Sequence, residues 1–72
     1  MAFALLDPVA LTRDVAELGL RVGDVGTVVE LYEAGALEVE FVTASGETTA
    51  LATLTPKDLR AVTASDMLAV RP

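Results

Sequence analysis

The most constraining feature of this 72-residue sequence is a stretch near its middle in which apolar and acidic residues alternate strictly. Leu37, Val39 and Phe41 are separated by Glu38 and Glu40. A period of two is the side-chain period of a β-strand, so we expect the apolar side chains on one face and the glutamates on the other. The chain is therefore predicted to form a sheet with one buried face and one solvated face.

Glycine and proline divide the chain into short β-type segments, rich in Val, Thr and Leu, which are typical of strands. Thr55 is expected to cap a single helical turn with Pro56 at its first position. Asp24 is expected to hydrogen-bond its own turn, and Gly26 to mark either a bulge or a close backbone approach. We predict a small all-β barrel of about five strands with one helical turn near Pro56. The predicted strands are 9–12, 25–32, 37–43, 48–54 and 59–62.

Two segments lie outside this strand pattern. Residues 13–21 fit either a short helix ended by Gly19 or a loop across the mouth of the barrel. In the last ten residues, 63–72, Ser65 and Asp66 form a candidate helix cap before an apolar run.

A domain of this size has little core to spare, since it buries only about 60% of its unfolded surface. It has no Cys and no His, so neither disulfides nor a Cys/His zinc site can add stability. We predict one domain over 1–72, with its core at about 9–62 and a tail at 63–72 that either packs against the same domain or forms an oligomer. The tail is expected either to fold back onto its own barrel or to extend along an open sheet edge, of its own chain or of a partner copy. The predicted dimer contacts are the apolar residues outside the strands, Phe3, Leu5, Leu6, Met67, Leu68 and Val70.

The charge is distributed unevenly along the chain. From Val22 to Pro56 there are six acidic residues and no Lys or Arg, which accounts for the whole net charge of -6. Nucleic-acid affinity depends on clustered basic side chains that neutralise phosphates, so we expect no nucleic-acid partner. A protein with a basic surface is the predicted partner.

Neither an export signal nor a membrane span is expected. The apolar start of the chain has no basic residue and reaches Asp7 and Pro8 after six residues, which is too short for a secretory signal. No uncharged apolar run approaches the roughly 18 residues that a transmembrane helix needs. We therefore expect a cytoplasmic protein without a membrane partner.

The segment 19–30, G-L-R-V-G-D-V-G-T-V-V-E, resembles the opening of SH3-like barrels, where a turn of the form G-D-x-G-x-V leads into the first long hairpin. Together with segments 37–42, 46–48 and 54–59, it is similar to a family of short bacterial proteins known only as a domain of unknown function. The resemblance covers about 9–62 and implies an SH3-like barrel without an assigned activity. It also implies an antitoxin-like or accessory role, because relatives are associated with operons of toxin and antitoxin type.

Catalysis is not expected from these residue types. Nucleophilic catalysis needs a base beside the nucleophile; without His, the remaining candidate is Lys57, whose expected role in a surface turn is solvation. Glu38 and Glu40 lie about 6.6–6.8 Å apart along a strand. An exposed face gives them neither the burial that separates two pKa values nor the six to eight oxygens of a Ca²⁺ site. We expect no cofactor and no enzyme activity.

The predicted functional surface is the acidic face, formed by Glu30, Tyr32, Glu38 and Glu40. Glu30 is expected on the strand next to the two other glutamates, and Tyr32 is expected to be either an interface anchor or a half-buried strand residue. The interpretation is a non-enzymatic protein-interaction module. Two alternatives stay open: a KOW-like nucleic-acid or ribosome-associated module, and a carboxylate-based metal site or enzyme.

Overall fold

The computed structural model describes residues 3–42, 46 and 49–68, with the side chains of Thr49, Met67 and Leu68 left outside the description. Two 3-10 turns and one short helix accompany a five-stranded antiparallel sheet. The strands are β1 (Pro8–Leu11), β2 (Val25–Leu31), β3 (Leu37–Val42), β4 (Thr49–Leu54) and β5 (Leu59–Ala61). The turns are Ala16–Leu18 and Pro56–Asp58, and the helix is α1 (Ala64–Leu68).

The sheet curls around one core. Its strand order is β4-β3-β2-β1-β5, so β4 and β5 are the edges and would lie about 19 Å apart in a flat sheet. Both edges nevertheless contribute to a single buried cluster, through Leu54 and Leu59. This small, all-β, barrel-like fold confirms the predicted fold class. The other buried members of the cluster are Val9, Leu11, Val15, Val28, Leu37, Val39, Phe41 and Ala52.

Gly26 allows β2 and β3 to approach closely. A Cβ atom at this buried position would lie 2.8 Å from the carbonyl oxygen of Glu40 and 2.8 Å from two ring carbons of Phe41. The aromatic ring therefore occupies the space that any other side chain at position 26 would need. Of the two alternatives predicted for Gly26, the close backbone approach is confirmed.

Two aspartates fix the turns that lead into strands. The carboxylate of Asp24 accepts the backbone N–H of Arg21 at 2.9 Å, which confirms the predicted bond within its own turn. Asp7 accepts the N–H of Ala4 at 2.8 Å in the same manner. Each aspartate directly precedes a strand, β2 and β1 respectively. The three-residue spacing therefore sets the direction in which both strands begin.

Asp58 joins the end of β1 to the turn before β5. It is only 8% exposed, and one carboxylate oxygen accepts the backbone N–H and the hydroxyl of Thr55, each at 3.0 Å. Nε of Arg13 lies 2.9 Å from the other oxygen. The hydrogen bond from the Thr55 N–H, followed by the contact with Arg13, lowers the pKa of Asp58 against the opposing effect of burial. The helical turn predicted near Pro56 is confirmed.

The start of α1 differs from the prediction, because the predicted cap at Ser65 and Asp66 is wrong. The residue that pairs with Asp66 is Thr63, whose N–H donates to the Asp66 carboxylate at 2.7 Å. Arg60 of β5 donates two further bonds to the same carboxylate, at 2.7 and 2.8 Å. These bonds, with those from Arg60 foremost, lower the pKa of Asp66. They also tie α1 to β5.

Other differences from the prediction are small. The strands predicted at 9–12, 25–32 and 59–62 run over 8–11, 25–31 and 59–61. The helical alternative for 13–21 is confirmed by the turn Ala16–Leu18, which Gly19 ends with a φ of 70°. The extended alternative for the tail is wrong at residues 67 and 68, which belong to α1. The predicted strand ends at 43 and 48, and residue 70 of the tail, lie outside the described residues.

Replacing Gly26 with Ala should destabilise the domain by about 2 kcal/mol, because the new methyl group overlaps a backbone oxygen that belongs to the paired strand β3. In a domain of this size, that change corresponds to a fall in Tm of roughly 10 °C. Gly19→Ala is the control: its Cβ meets nothing within 4 Å, and its positive φ should cost only about 1 kcal/mol. A Gly26→Ala protein with the same Tm as the wild type would contradict the close packing described for this position.

Acid should weaken the domain through Asp58. Because its folded-state pKa is lowered, the native state binds fewer protons than the unfolded state between the two pKa values, and stability rises with pH in that range. The contribution is complete above the unfolded pKa of about 3.9 and is lost as the pH falls through the folded value. We expect Asp58→Asn to cost about 1–2 kcal/mol at pH 7. In urea titrations, the difference in the free energy of unfolding between variant and wild type should become smaller from pH 7 to pH 2. A difference that does not depend on pH would refute this role.

Candidate functional site

The outer side of β3 carries two residues of the acidic face. The three apolar residues of the alternation are buried, and Glu38 and Glu40 are half-buried on the opposite side, so the predicted alternation is confirmed. Glu40 lies opposite Thr27 of β2 and Leu51 of β4. The residues opposite Glu40 on both neighbouring strands are therefore uncharged.

A bulge in β2 brings Glu30 to the same side. Val28 pairs with Val39, and Glu30 pairs with Glu38, so one extra residue, Val29, lies in β2 between the two pairs. Without that extra residue, Glu30 would pair with the next position of β3, whose side chain is buried, and Glu30 would itself be on the core side of the sheet. The structure thus places Glu30 directly across from Glu38.

Glu38 is the centre of the hydrogen bonding on this face. Its Oε1 atom accepts the phenol O–H of Tyr32 at 3.3 Å and the hydroxyl of Thr53 of β4 at 2.7 Å. Partial desolvation, then the charge and hydrogen bond of Glu38, then the charge of Glu30, raise the pKa of the Tyr32 phenol. The phenol therefore remains a hydrogen-bond donor at neutral pH. Sequence reasoning missed Thr53, since threonine is an ordinary strand residue and carries no distinguishing signal.

The acidic face has no cationic partner in the described part of the chain. The ion pairs found there join Arg13 to Asp58 and Arg60 to Asp66, both away from the face. Directly opposed side chains in an antiparallel pair have Cβ atoms about 4.5–5.5 Å apart, and like charges in that position destabilise the sheet. The two opposed glutamates are therefore an unfavourable arrangement for folding alone.

Exposed apolar side chains lie beside the carboxylates. Leu51 is 56% exposed and Val42 is 53% exposed, and both belong to the outer side of the sheet. Carboxylates bind Arg and Lys head groups, and neighbouring apolar atoms cover the aliphatic stems of these side chains. The surface therefore offers groups that could contact both the charged head and the aliphatic stem of a basic side chain.

The residues predicted as dimer contacts are not equivalent in the structure. Phe3 is half-buried and packs against the core of its own domain, so it does not form part of an exposed apolar end. Leu5 and Leu6 are exposed. Met67 and Leu68 lie in α1 with side chains outside the description, and residue 70 is also outside it. Association through these ends remains a prediction.

Within residues 3–42, 46 and 49–68, no group of three or more His, Cys, Asp or Glu side chains is arranged to hold a metal ion. No helix there is long and apolar enough to cross a membrane. Lys57 is exposed in the turn before β5, and its carbonyl oxygen accepts the hydroxyl of Thr12 at 2.9 Å.

Fold and surface together define a small all-β domain whose distinctive chemistry lies on the outside of its sheet. Residues 5–61, most of the chain, match the family described as Domain of unknown function (DUF4926). The chain belongs to this family, which confirms the predicted resemblance to a domain of unknown function. Comparisons with curated proteins and with solved structures give no match.

Replacing Glu30 with Lys should stabilise the domain, because a pair of opposed like charges becomes a pair of opposite charges with Glu38. We expect a gain of about 0.5–1 kcal/mol, visible as a rise in Tm of a few degrees that shrinks as salt is added. Glu17→Lys, on the exposed turn Ala16–Leu18, makes the same change in net charge without a cross-strand partner. Its Tm should hardly change, and equal effects of the two substitutions would contradict the cross-strand explanation.

Proposed function

We propose that this chain is a non-enzymatic protein-interaction module, an SH3-like barrel that binds a basic protein surface through its acidic face. The observation that carries the proposal is the direct opposition of Glu30 and Glu38 across β2 and β3. Like charges in register weaken a sheet, and a 72-residue domain has little stability to lose. A cationic partner would convert this repulsion into attraction. The opposed glutamates would therefore favour binding, although they do not favour folding.

Pre-organisation of Glu38 supports the same proposal. The hydrogen bonds from Tyr32 and Thr53 both go to Oε1, which holds the carboxylate in place and leaves Oε2 for a partner. A carboxylate fixed before binding loses less conformational freedom when an Arg or Lys side chain arrives. Tyr32, 45% exposed, adds an aromatic surface of the kind that is enriched in protein interfaces.

Topology supports the SH3-like assignment. The order β4-β3-β2-β1-β5, with a 3-10 turn directly before β5, agrees with the five strands and one helical turn predicted for such a barrel. This fold carries many unrelated functions, so the surface and not the fold argues for the activity. We infer that the chain acts in the manner of an antitoxin-like or accessory subunit, whose effect comes from occupying a basic surface of another protein.

Capture from a lysate of the source cells tests the acidic face. Immobilised wild type should retain a protein at about 50 mM salt and release it as salt rises past about 0.15 M, where the Debye length falls to about 8 Å. A double variant, Glu30→Lys with Glu40→Lys, should lose at least about 90% of that capture, because close like charges at an interface are strongly unfavourable. The matched control, Glu17→Lys with Glu33→Lys, makes the same change in net charge on exposed residues outside the acidic face.

Two outcomes would overturn the proposal. Equal capture by the double variant and the control would remove this face as the binding surface. Capture that disappears after ribonuclease treatment would identify RNA as the ligand and favour the KOW-like alternative. Circular dichroism of every variant is needed beside these assays, since an unfolded variant would also lose capture.

A further inference from the structure

β4 (Thr49–Leu54) is an edge of the sheet that the described part of the chain leaves unprotected. It pairs with β3 on one side, and among the described residues no strand or backbone hydrogen bond engages its other side. Native proteins usually blunt such an edge with a charged residue, a proline, a bulge or a very short strand. β4 has none of these: its six residues, T-A-L-A-T-L, are uncharged and pair with β3 in continuous register.

The opposite edge shows the protection that β4 lacks. β5 is three residues long and carries Arg60 at its centre. The guanidinium of Arg60 binds Asp66 of α1 through two hydrogen bonds, which holds the helix beside this strand. Within the described residues, one edge of the sheet is thus protected and the other is open.

The open edge is self-complementary in sequence. Residues 49–53 read T-A-L-A-T, which is the same in both directions around Leu51. If two β4 strands pair antiparallel about a two-fold axis at Leu51, Leu51 stands opposite its own copy. Ala50 then stands opposite Ala52 of the partner subunit, and Thr49 opposite Thr53 of the partner subunit. A two-fold interface requires a patch that complements itself, and this register satisfies the requirement at every position.

Burial agrees with this register. Leu51, at the centre, is 56% exposed and is the residue that such pairing would cover. Ala52 is buried and Ala50 half-buried on the other side of the strand, so small side chains lie where the two cores would meet. In this register the outer faces of the two copies form one continuous surface and the inner faces form another, as side-chain alternation requires.

Charge does not prevent this contact at physiological salt. Each copy has a net charge of -6, and the glutamates that the described sheet places nearest to the edge, Glu38 and Glu40, belong to β3, one strand behind it. Across the contact, the two β3 strands would be three strand spacings apart, about 14 Å. That distance exceeds the Debye length of about 8 Å at 0.15 M, so the repulsion is largely screened.

We propose that two copies of this chain associate through their β4 edges, antiparallel and about a two-fold axis at Leu51, so that one sheet runs through both. The proposal does not require the basic partner, although Leu51 also borders the acidic face. It predicts that self-association strengthens as salt is added, whereas binding of a basic partner weakens.

Sedimentation equilibrium provides the first test. The wild type should form a dimer at high micromolar concentration, and Leu51→Lys should raise the dimer dissociation constant at least roughly tenfold by placing two lysines face to face. In the monomer, the new lysine lies opposite Glu40, so the fold is expected to persist. Val42→Lys is the matched control, since Val42 is 53% exposed on the same side but one strand behind the edge. A wild type that stays monomeric, or equal effects of the two lysines, overturns the proposal.

Cross-linking tests the register. The chain has no cysteine, so a single introduced thiol reports one position. In Leu51→Cys the two Cα atoms should be about 4.5–5.5 Å apart, within the range of about 4.4–6.8 Å that a disulfide accepts. Mild oxidation should therefore cross-link Leu51→Cys within the dimer at least roughly tenfold faster than Val42→Cys. Faster cross-linking of Leu5→Cys than of Leu51→Cys would instead place the contact at the apolar end of the chain and refute the β4 interface.

Discussion

Closure of the curled sheet depends on the turn before β5, which the carboxylate of Asp58 holds in place. β5 is only three residues long, so its pairing with β1 provides few backbone hydrogen bonds. The turn before β5 adds three bonds to the end of β1: Arg13 Nε to the Asp58 carboxylate, the Thr12 N–H to the Asp58 carbonyl, and the Thr12 hydroxyl to the Lys57 carbonyl. A buried carboxylate that loses a partner destabilises a protein by about 1–3 kcal/mol. The bonds from Thr55 and Arg13 therefore make this buried charge favourable, and they hold β1 and β5 together so that the remaining strands can wrap around the core.

The acidic residues divide between fold and surface according to the length of their side chains. Each aspartate accepts a backbone N–H, and no hydrogen bond of the described residues gives a glutamate that role. An Asp side chain is short enough to reach the backbone of a nearby turn, whereas a longer Glu side chain gives up more rotamer freedom when it is fixed. The fold thus uses the aspartates to bind backbone N–H groups and leaves the glutamates of the described residues free of that role. The aspartates are Asp7, Asp14, Asp24, Asp58 and Asp66.

Local patterns predicted the features that local chemistry decides, namely the alternation of β3, the capped turn before β5 and the all-β class. The bulge that turns Glu30 outward could not be predicted, because any residue of a β-branched run can be the extra one and strand pairing decides which. Arg13 and Asp58 are 45 positions apart, so their contact depends on the β1–β5 register and no local sequence pattern indicates it. A short apolar run does not distinguish helix from strand, which explains why the extended alternative is wrong at residues 67 and 68. The usable signal there was the spacing of Thr63 and Asp66, which matches the start of a capping box.

The neutrality of β4 links the acidic face to the open edge. Leu51 lies opposite Glu40, and Thr53 lies opposite Glu38, so a lysine at either β4 position would form a favourable pair with a glutamate of β3. The same lysine would also protect the edge against pairing with another strand. Stability and solubility alone would both favour that residue, and β4 has it at neither position. The glutamates are therefore left without a cation from β4, and β4 itself carries no charge that would oppose pairing with a second copy. Both features have one explanation if β4 is required to pair at its edge while the carboxylates behind it stay available to a basic partner.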